Sequence, residues 1–412
     1  MLAVASLTVM SASTVAPALP RMAEAFAETP DAVFLSKLVL TMPALVITLW
    51  APFAGAVIDR FGRIRFLRLN LILYAIAGAS GFFLSDLHQI LLGRALLGLA
   101  VGAVMTCVQA LAGDYFAGPA RTRYVSIQSM YMSAGGVLFV ALGGFLADLS
   151  WRAPFLIYLL ALGSLALAIR FLDEPQGVHK VTPPPAHLPA ASSVRAAPAA
   201  SPPGGGTGIA ADAWPLAPPR IAWASIALVY FLQFFGMAMY YMVSAQLPFH
   251  LRDIGADLSV YAGLAIAAGS GVSILSTLRY ARLLRATSHL TVYACGFGTM
   301  ALGFVVIGMS TSVTGVIVGA SVVGLGMGLV FPNGTTWMLA LADPRLRGRL
   351  AGGLTAAVFL GQFASPIIAQ PFTSRFGLDH FYIGVAVALV AMASLLSLVA
   401  VRRNRALGGA RA

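Results

Sequence analysis

The chain has 412 residues, 59% of them hydrophobic and 10% charged. A soluble domain is about 25% charged, and a mean hydropathy of +0.87 excludes a water-facing surface over most of the chain. Net charge is +12, with 24 arginines among 26 basic residues. These arginines sit in short turns between apolar runs, which excludes a nucleic-acid face and points to membrane topology.

In chain order, the apolar runs fall at roughly 2–20, 32–56, 66–85, 88–112, 124–147 and 153–172. A second set falls at roughly 220–248, 258–281, 290–310, 313–340, 348–371 and 378–401. Most of them reach the length that spans a bilayer as a helix. The short alternating segments of barrel strands do not occur. The expected fold is therefore all-α and integral to the membrane, with twelve transmembrane helices in two six-helix bundles. The bundles are expected at 1–172 and 220–403, with a cytoplasmic tail at 404–412. No Lys or Arg precedes the first run, and its polar patch Ser11–Thr14 suits a helix facing protein. It is read as helix 1, not as a cleaved signal. Residues 173–219 are rich in Pro, Ala, Gly and Ser without apolar periodicity, the composition of a disordered linker.

If helix 1 starts inside, 20 of the 26 basic residues lie on the inner side and 5 on the outer. Arg21, Lys37, Arg152, Arg252 and Arg375 make up the outer set, and Arg94 lies within helix 4. The positive-inside rule then places both termini in the cytoplasm of a cell (inner) membrane. Cys107 and Cys295 both fall in apolar runs, and no histidine pair has metal-ligand spacing. His88, His250 and His380 are placed near the outer surface. Neither a P-loop nor a nucleophile elbow is present, so no cofactor and no enzyme activity are expected.

The turn between helices 2 and 3 reads GAVIDRFGRIRF, and its pattern Gly55-x-x-x-Asp59-Arg60-x-Gly62-Arg63 resembles the loop signature of the major facilitator superfamily. "RALLGLAVG", from Arg94, looks like that family's helix 4 signature. "TVAPALPRMAEAF" and "SWRAPF" are similar to the outer end of helix 1 and the start of helix 6 in its drug-exporter branches. The resemblance covers the chain outside the linker. It implies a proton-coupled exporter in which Arg94 is tied to coupling. It also implies an inner gate in which Asp59 rests on the start of helix 11 near Gly348. A solvated anchor is the other reading of these turn charges, but an anchor needs neither Asp59 nor the two glycines. Asp114, at the C-terminal end of helix 4, is at the wrong end of a helix dipole. It should need an arginine partner, Arg60 or Arg63.

Arg94, Gly98, Gly102, Met105 and Gln109 share about one face of helix 4 and are expected to line the interior. Alternatively, Arg94 snorkels to the outer interface. None of the 14 acids is mid-helix. A proton carrier must then come from helix ends, such as Asp31 or Asp114, or work through Arg94. In helix 5, Phe139 and Val140 replace the Gly-Pro of the antiporter pattern, which weakens the expected kink and leaves the glycines for close packing. In helix 7, Phe231, Gln233, Phe234, Met237 and Tyr241 form an aromatic and methionine-rich stretch suited to varied apolar ligands. Pro332 and Pro366 are expected to break helices 10 and 11. Asn333, Trp337 and Gln362 lie nearest those breaks. The expected partners are a small-molecule substrate, protons and the lipid bilayer, and the expected state is a monomer. The expected function is export of small amphipathic or apolar compounds. Two other functions are left open: uptake or export of a specific metabolite or organic anion, with Arg94 binding an anionic group, and a non-transporting membrane receptor or scaffold.

Overall fold

A computed structural model describes residues 1–116, 118–172, 223–343 and 346–409. It leaves out the side chains of 12, 52, 55, 56, 59, 118, 119, 122 and 403–409. The expected linker at 173–219 therefore lies outside the described residues, which are mainly helical and contain no strand. In lipid, backbone N–H and C=O groups must bond within their own segment, so an apolar chain with no closed barrel has only helix available.

Among the described residues, eleven helices are long and apolar enough to cross a membrane. They are α1 (Leu2–Ala25), which is bent through a 3-10 turn at Ala16–Ala18, α2 (Ala32–Phe61), α3 (Arg63–Phe83), α4 (Leu87–Tyr115) and α5 (Gly118–Leu149). Next come α6 (Ala153–Phe171), α7 (Trp223–Asp253), α8 (Ser259–Ala286), α9 (His289–Met309) and α10 (Val313–Leu341). The last helical stretch, Arg347–Gly409, covers 63 residues, about 95 Å at 1.5 Å per residue and three times the bilayer core. It is broken at Gly377, where φ is 75° and ψ is 173°, into α11 (347–376) and α12 (378–409). Twelve crossing segments result.

Most helices outrun their apolar stretches by a few residues, because polar residues at the lipid interface stay helical. The clearest case is α12, which continues to Gly409 through part of the segment expected to be a tail. Pro332 and Pro366 lie inside helices without a break. Pro332 cannot donate to the Gly328 carbonyl four residues earlier. The Thr277 hydroxyl of α8 donates to that oxygen instead, at 3.0 Å.

Each half has its own buried apolar cluster, and the second recruits Ala16, Leu19, Leu40 and Val140 from the first. Glycines set the closest approaches. Gly143 of α5 meets the Thr14 backbone of α1, and Gly324 and Gly328 of α10 meet the Gly269 and Ser273 backbones of α8. The seam between the halves runs along α5 and α8 and, on the other side, along α2 and the 347–409 stretch. A Cβ built on Gly144 would lie 3.0 Å from both the Gly263 Cα and the Ser259 carbonyl oxygen.

The turns carrying most of the arginines lie at one end of the bundle, hereafter the Arg-rich end, with Gly144 and Gly263 toward the other. The seam loosens toward the Arg-rich end. A Cβ on Gly271 has only the Val137 side chain near it, at 3.7 Å, and one on Gly348 or Gly352 of α11 meets nothing within 4 Å. Gly144→Leu should therefore prevent closure of α5 on α8, at a cost of about 1–3 kcal/mol for overpacking. Gly163→Leu, with nothing within 4 Å, is the neutral control. The thermal midpoints of the two purified variants check this.

Candidate functional site

Polar side chains interrupt the apolar interior in several places. At the Arg-poor end they join the two halves. The N-cap residue of α8 is Leu258, which has no side chain able to accept from the first N–H groups. Asp148, at the end of α5 in the other half, takes that place. Its Oδ1 accepts from Ser259 N at 2.6 Å and its Oδ2 from Val260 N at 3.0 Å. A carboxylate is favoured there by the partial positive charge of the helix start. The same carboxylate pairs with Arg21 of α1 at 3.0 Å. Arg21 also donates to the Ala147 and Asp148 carbonyls. A second ion pair, Glu24 of α1 with Arg252 of α7, crosses the same gap.

Lys37 reinforces this clamp. Expected in an outer turn, it lies inside α2, is 3% exposed, and holds its ammonium 4.8 Å from the centre of the Phe249 ring of α7. Asp31, the N-cap of α2, is exposed and adopts a left-handed backbone with φ 57°. It borders an open groove of about 570 Å³ lined also by Pro20, Phe249, Arg252 and Gln370.

Near the middle of the bundle, Tyr241 of α7 is buried beside Ser13 of α1 and Gln362 of α11. The ring thus lies where the two halves meet. Gln233 is buried and donates to the Phe331 carbonyl at 3.1 Å, while its Oε1 is buried with no partner. Phe231 is 49% exposed and stacks on Phe235 at 6.2 Å. Phe234 and Met237 are half-buried. Asn333 and Trp337 pack inside the second half. Asn333 Oδ1 accepts from Tyr280 at 3.3 Å and lies 2.8 Å from His289 Nδ1, while His289 stacks on Trp337. These two are not beside a helix break, because Pro332 makes none.

Arg94 is 2% exposed and sits between α3, α4 and α6. One guanidinium nitrogen donates to the Gly78 carbonyl at 3.2 Å. The rings of Phe155 and Tyr158 lie 4.6 and 4.7 Å from the guanidinium carbon. Gly78 and Gly81 make the room, since a Cβ on either would strike those rings. No carboxylate pairs with Arg94 among the described residues. The expected interior stripe on α4 divides. Gly98 and Gly102 pack on Pro43, Ile47 and Trp50 of α2, whereas Met105 is half-buried and Gln109 exposed.

At the Arg-rich end, Arg63 of α3 forms an ion pair with Asp114 of α4. Its guanidinium lies 3.4 Å from the Ala110 carbonyl. Gly62 ends α2 with φ 85°, which a side chain would strain. Arg60 is exposed, as are Arg347, Gly348 and Arg349 at the start of α11. The surroundings of Gly55 and the side chain of Asp59 lie outside the described residues.

A family model for the Major Facilitator Superfamily matches residues 1–289 and 226–411. The chain belongs to the major facilitator superfamily. Members are membrane transporters and not enzymes. The quinolone resistance protein NorA of Staphylococcus aureus is 27% identical over 128 residues, 31% of this chain and 33% of that one. The bacillibactin exporter of Bacillus subtilis is 30% identical over 150 residues, 35% of this chain and 37% of that one. The matched stretch thus spans about a third of each of these relatives.

Solved structures share the fold across nearly the whole chain. The human organic anion transporter MFSD10 aligns with a TM-score of 0.64 at 18% identity, covering 96% of this chain and 97% of that one. A D-xylose–proton symporter aligns with a TM-score of 0.69 at 12% identity, covering 96% and 95%.

The Asp148 clamp is absent from the expectations, although the sequence held its signal. An acid at the C-terminal end of a helix is at the wrong end of the dipole, the reasoning already applied to Asp114. Asp148→Asn removes the charge from the α8 start and from Arg21, at a cost of about 1–2 kcal/mol. The variant should open the Arg-poor end more often, read as faster labelling of a cysteine placed at Val260.

Proposed function

We propose that this transporter exports small amphipathic or apolar compounds from the cytoplasm, in exchange for protons, as a multidrug-type efflux protein. The observation that carries the reading is the pair of partial matches to a quinolone resistance protein and a bacillibactin exporter. Two features of the chain support it. The aromatic and methionine side chains of α7, with Phe231 exposed, offer adaptable apolar surface. The interior carries few fixed charges, and Arg94 is enclosed by rings, so it is poorly placed to read an anionic group on a substrate.

In this reading the Arg-rich end faces the cytoplasm, as do both termini, in the cell (inner) membrane, and the chain acts as a monomer. The Asp148–α8 contact, the Glu24–Arg252 pair and the Lys37–Phe249 contact form the outer gate, closed here. Gly55, Asp59, Arg60, Gly62, Arg63 and Asp114 form the inner gate. Substrate enters from the cytoplasm between α5 and α8, past Gln109, and meets the α7 aromatics below Tyr241 and Gln362. Arg94, Gln109 and Asp31 serve coupling. Arg94 does so by position, since moving its caged charge would require α3, α4 and α6 to move together.

Inverted vesicles holding the protein should take up an ethidium-type dye when energised, and a protonophore should abolish that uptake. Arg94→Ala should reduce it at least 10-fold, because it leaves a void between two rings and frees the Gly78 carbonyl. Dye transport that survives collapse of the proton gradient would remove proton exchange from this reading. No uptake across a broad panel of amphipathic cations would remove the multidrug assignment.

A further inference from the structure

His250 lies in the last turn of α7 and is 0% exposed. It was expected near the surface, but α9 and α12 cover it. Its Nε2 lies 3.1 Å from the Ile307 carbonyl oxygen of α9. A carbonyl oxygen only accepts, so Nε2 carries the hydrogen. A neutral ring then presents a bare lone pair at Nδ1. That atom is buried without a hydrogen-bond partner, and the charge nearest it is Asp379 Oδ1 of α12, at 3.3 Å. An ionised carboxylate there sets two acceptors against each other.

One proton resolves the conflict. Placed on Nδ1 it makes an imidazolium facing a carboxylate. Placed on Asp379 it makes a carboxyl group that donates to Nδ1. In either form the pair binds one proton more than a neutral histidine beside an ionised aspartate.

The surroundings fix where that proton comes from and what it controls. The Asp379 side chain is 69% exposed, so it exchanges protons with water at the Arg-poor face. The Tyr382 ring of α12 stands edge-on to the imidazole at 5.2 Å. On α7 itself, Asp253 acts on His250 across one turn, and Arg252 and the α2 residue Lys37 act on Asp253. His380, next to Asp379, is exposed. The residues flanking His250 on α7 are the ones that clamp the other half: Phe249 lies under Lys37, and Arg252 pairs with Glu24.

We propose that His250 and Asp379 form a proton-binding site that fastens the end of α7 to α9 and α12 when loaded, and releases it when empty. As pH rises the proton leaves, two lone pairs face each other at contact distance, and the end of α7 is no longer held. Phe249 and Arg252 then lose their fixed position against Lys37 and Glu24, and the Arg-poor end opens. Loading from the Arg-poor side closes that side. This suits the return step of the proton exchange proposed above, but the site stands or falls without any substrate.

The test uses the full chain in lipid nanodiscs, with Cys107 and Cys295 replaced by alanine and spin labels at Glu28→Cys and Leu258→Cys, one in each half at the Arg-poor end. Distances are recorded from about pH 5 to about pH 9, a range that brackets imidazole titration. With His250 and Asp379 in place, the short distance should dominate in acid, and a longer population should grow as pH rises. Asp379→Asn supplies an N–H toward Nδ1 that does not titrate, so the short distance should persist across the range. Asp379 is exposed, so this change leaves the core intact. His250→Asn, a second non-titrating donor, should likewise abolish the pH transition. A distance distribution indifferent to pH with both native residues present overturns the proposal, as does an Asp379→Asn or His250→Asn transition with an unchanged midpoint. Loss of dye transport with an intact pH transition would instead count against the export reading alone.

Discussion

The start of α8 lacks a cap of its own, and the other half of the molecule supplies one. Leu258 cannot accept from the first N–H groups of that helix, and Asp148 does so from α5. The arrangement of the two bundles depends on this contact. It brings α5 and α8 together where Gly144 and Gly263 allow their backbones to touch. It also makes closure of one end conditional on a single carboxylate that α8 needs and Arg21 orients. A helix start left without an acceptor in an apolar protein is costly. The clamp can nevertheless open, because the freed N–H groups then meet water at the end of the bundle.

The same economy governs the buried cations. Neither Arg94 nor Lys37 is held by a close ion pair among the described residues. Arg94 lies between two aromatic rings and beneath one carbonyl, and Lys37 lies over one ring. Ring faces stabilise a cation without adding a second charge to be desolvated. Helices bearing such cations can shift without breaking an ion pair in lipid. The strong pairs, Arg63–Asp114 and Arg21–Asp148, sit near the ends of the bundle, where water is close.

In this state the polar contacts between halves gather at the Arg-poor end, while apolar packing joins α5 to α8 and α2 to the 347–409 stretch. The start of α11 is exposed and Gly348 has open space around it. A transporter that alternates between its faces needs two such seals of comparable strength, so that modest binding energies decide which one is made. An ion pair, a capped helix and a cation on a ring each contribute about 1 kcal/mol. That is enough in sum to hold one end shut and little enough for a ligand or a proton to reverse.

The fold was legible in the sequence because lipid leaves a chain few options. Runs of apolar residues had to be helices, their number gave the crossings, and the arginines marked one end. Dipole reasoning showed that Asp114 needs a cation, and the resemblance of the Gly55–Arg63 turn to the family's loop signature narrowed its partner to two residues. Hydropathy could not show that Lys37 and His250 are buried, since Lys37 lies near the start and His250 just past the end of an apolar run, where a few ångströms and a neighbouring helix decide exposure. Nor could it show that Pro332 leaves α10 intact, because the group that bonds the freed Gly328 carbonyl belongs to another helix. Local composition determined that this chain is twelve membrane-spanning helices with an Arg-rich face. Only the tertiary structure decided which carboxylate caps which helix, which rings hold Arg94 and which aspartate faces His250. Those contacts join residues far apart in sequence, and their geometry exists only once the helices are packed.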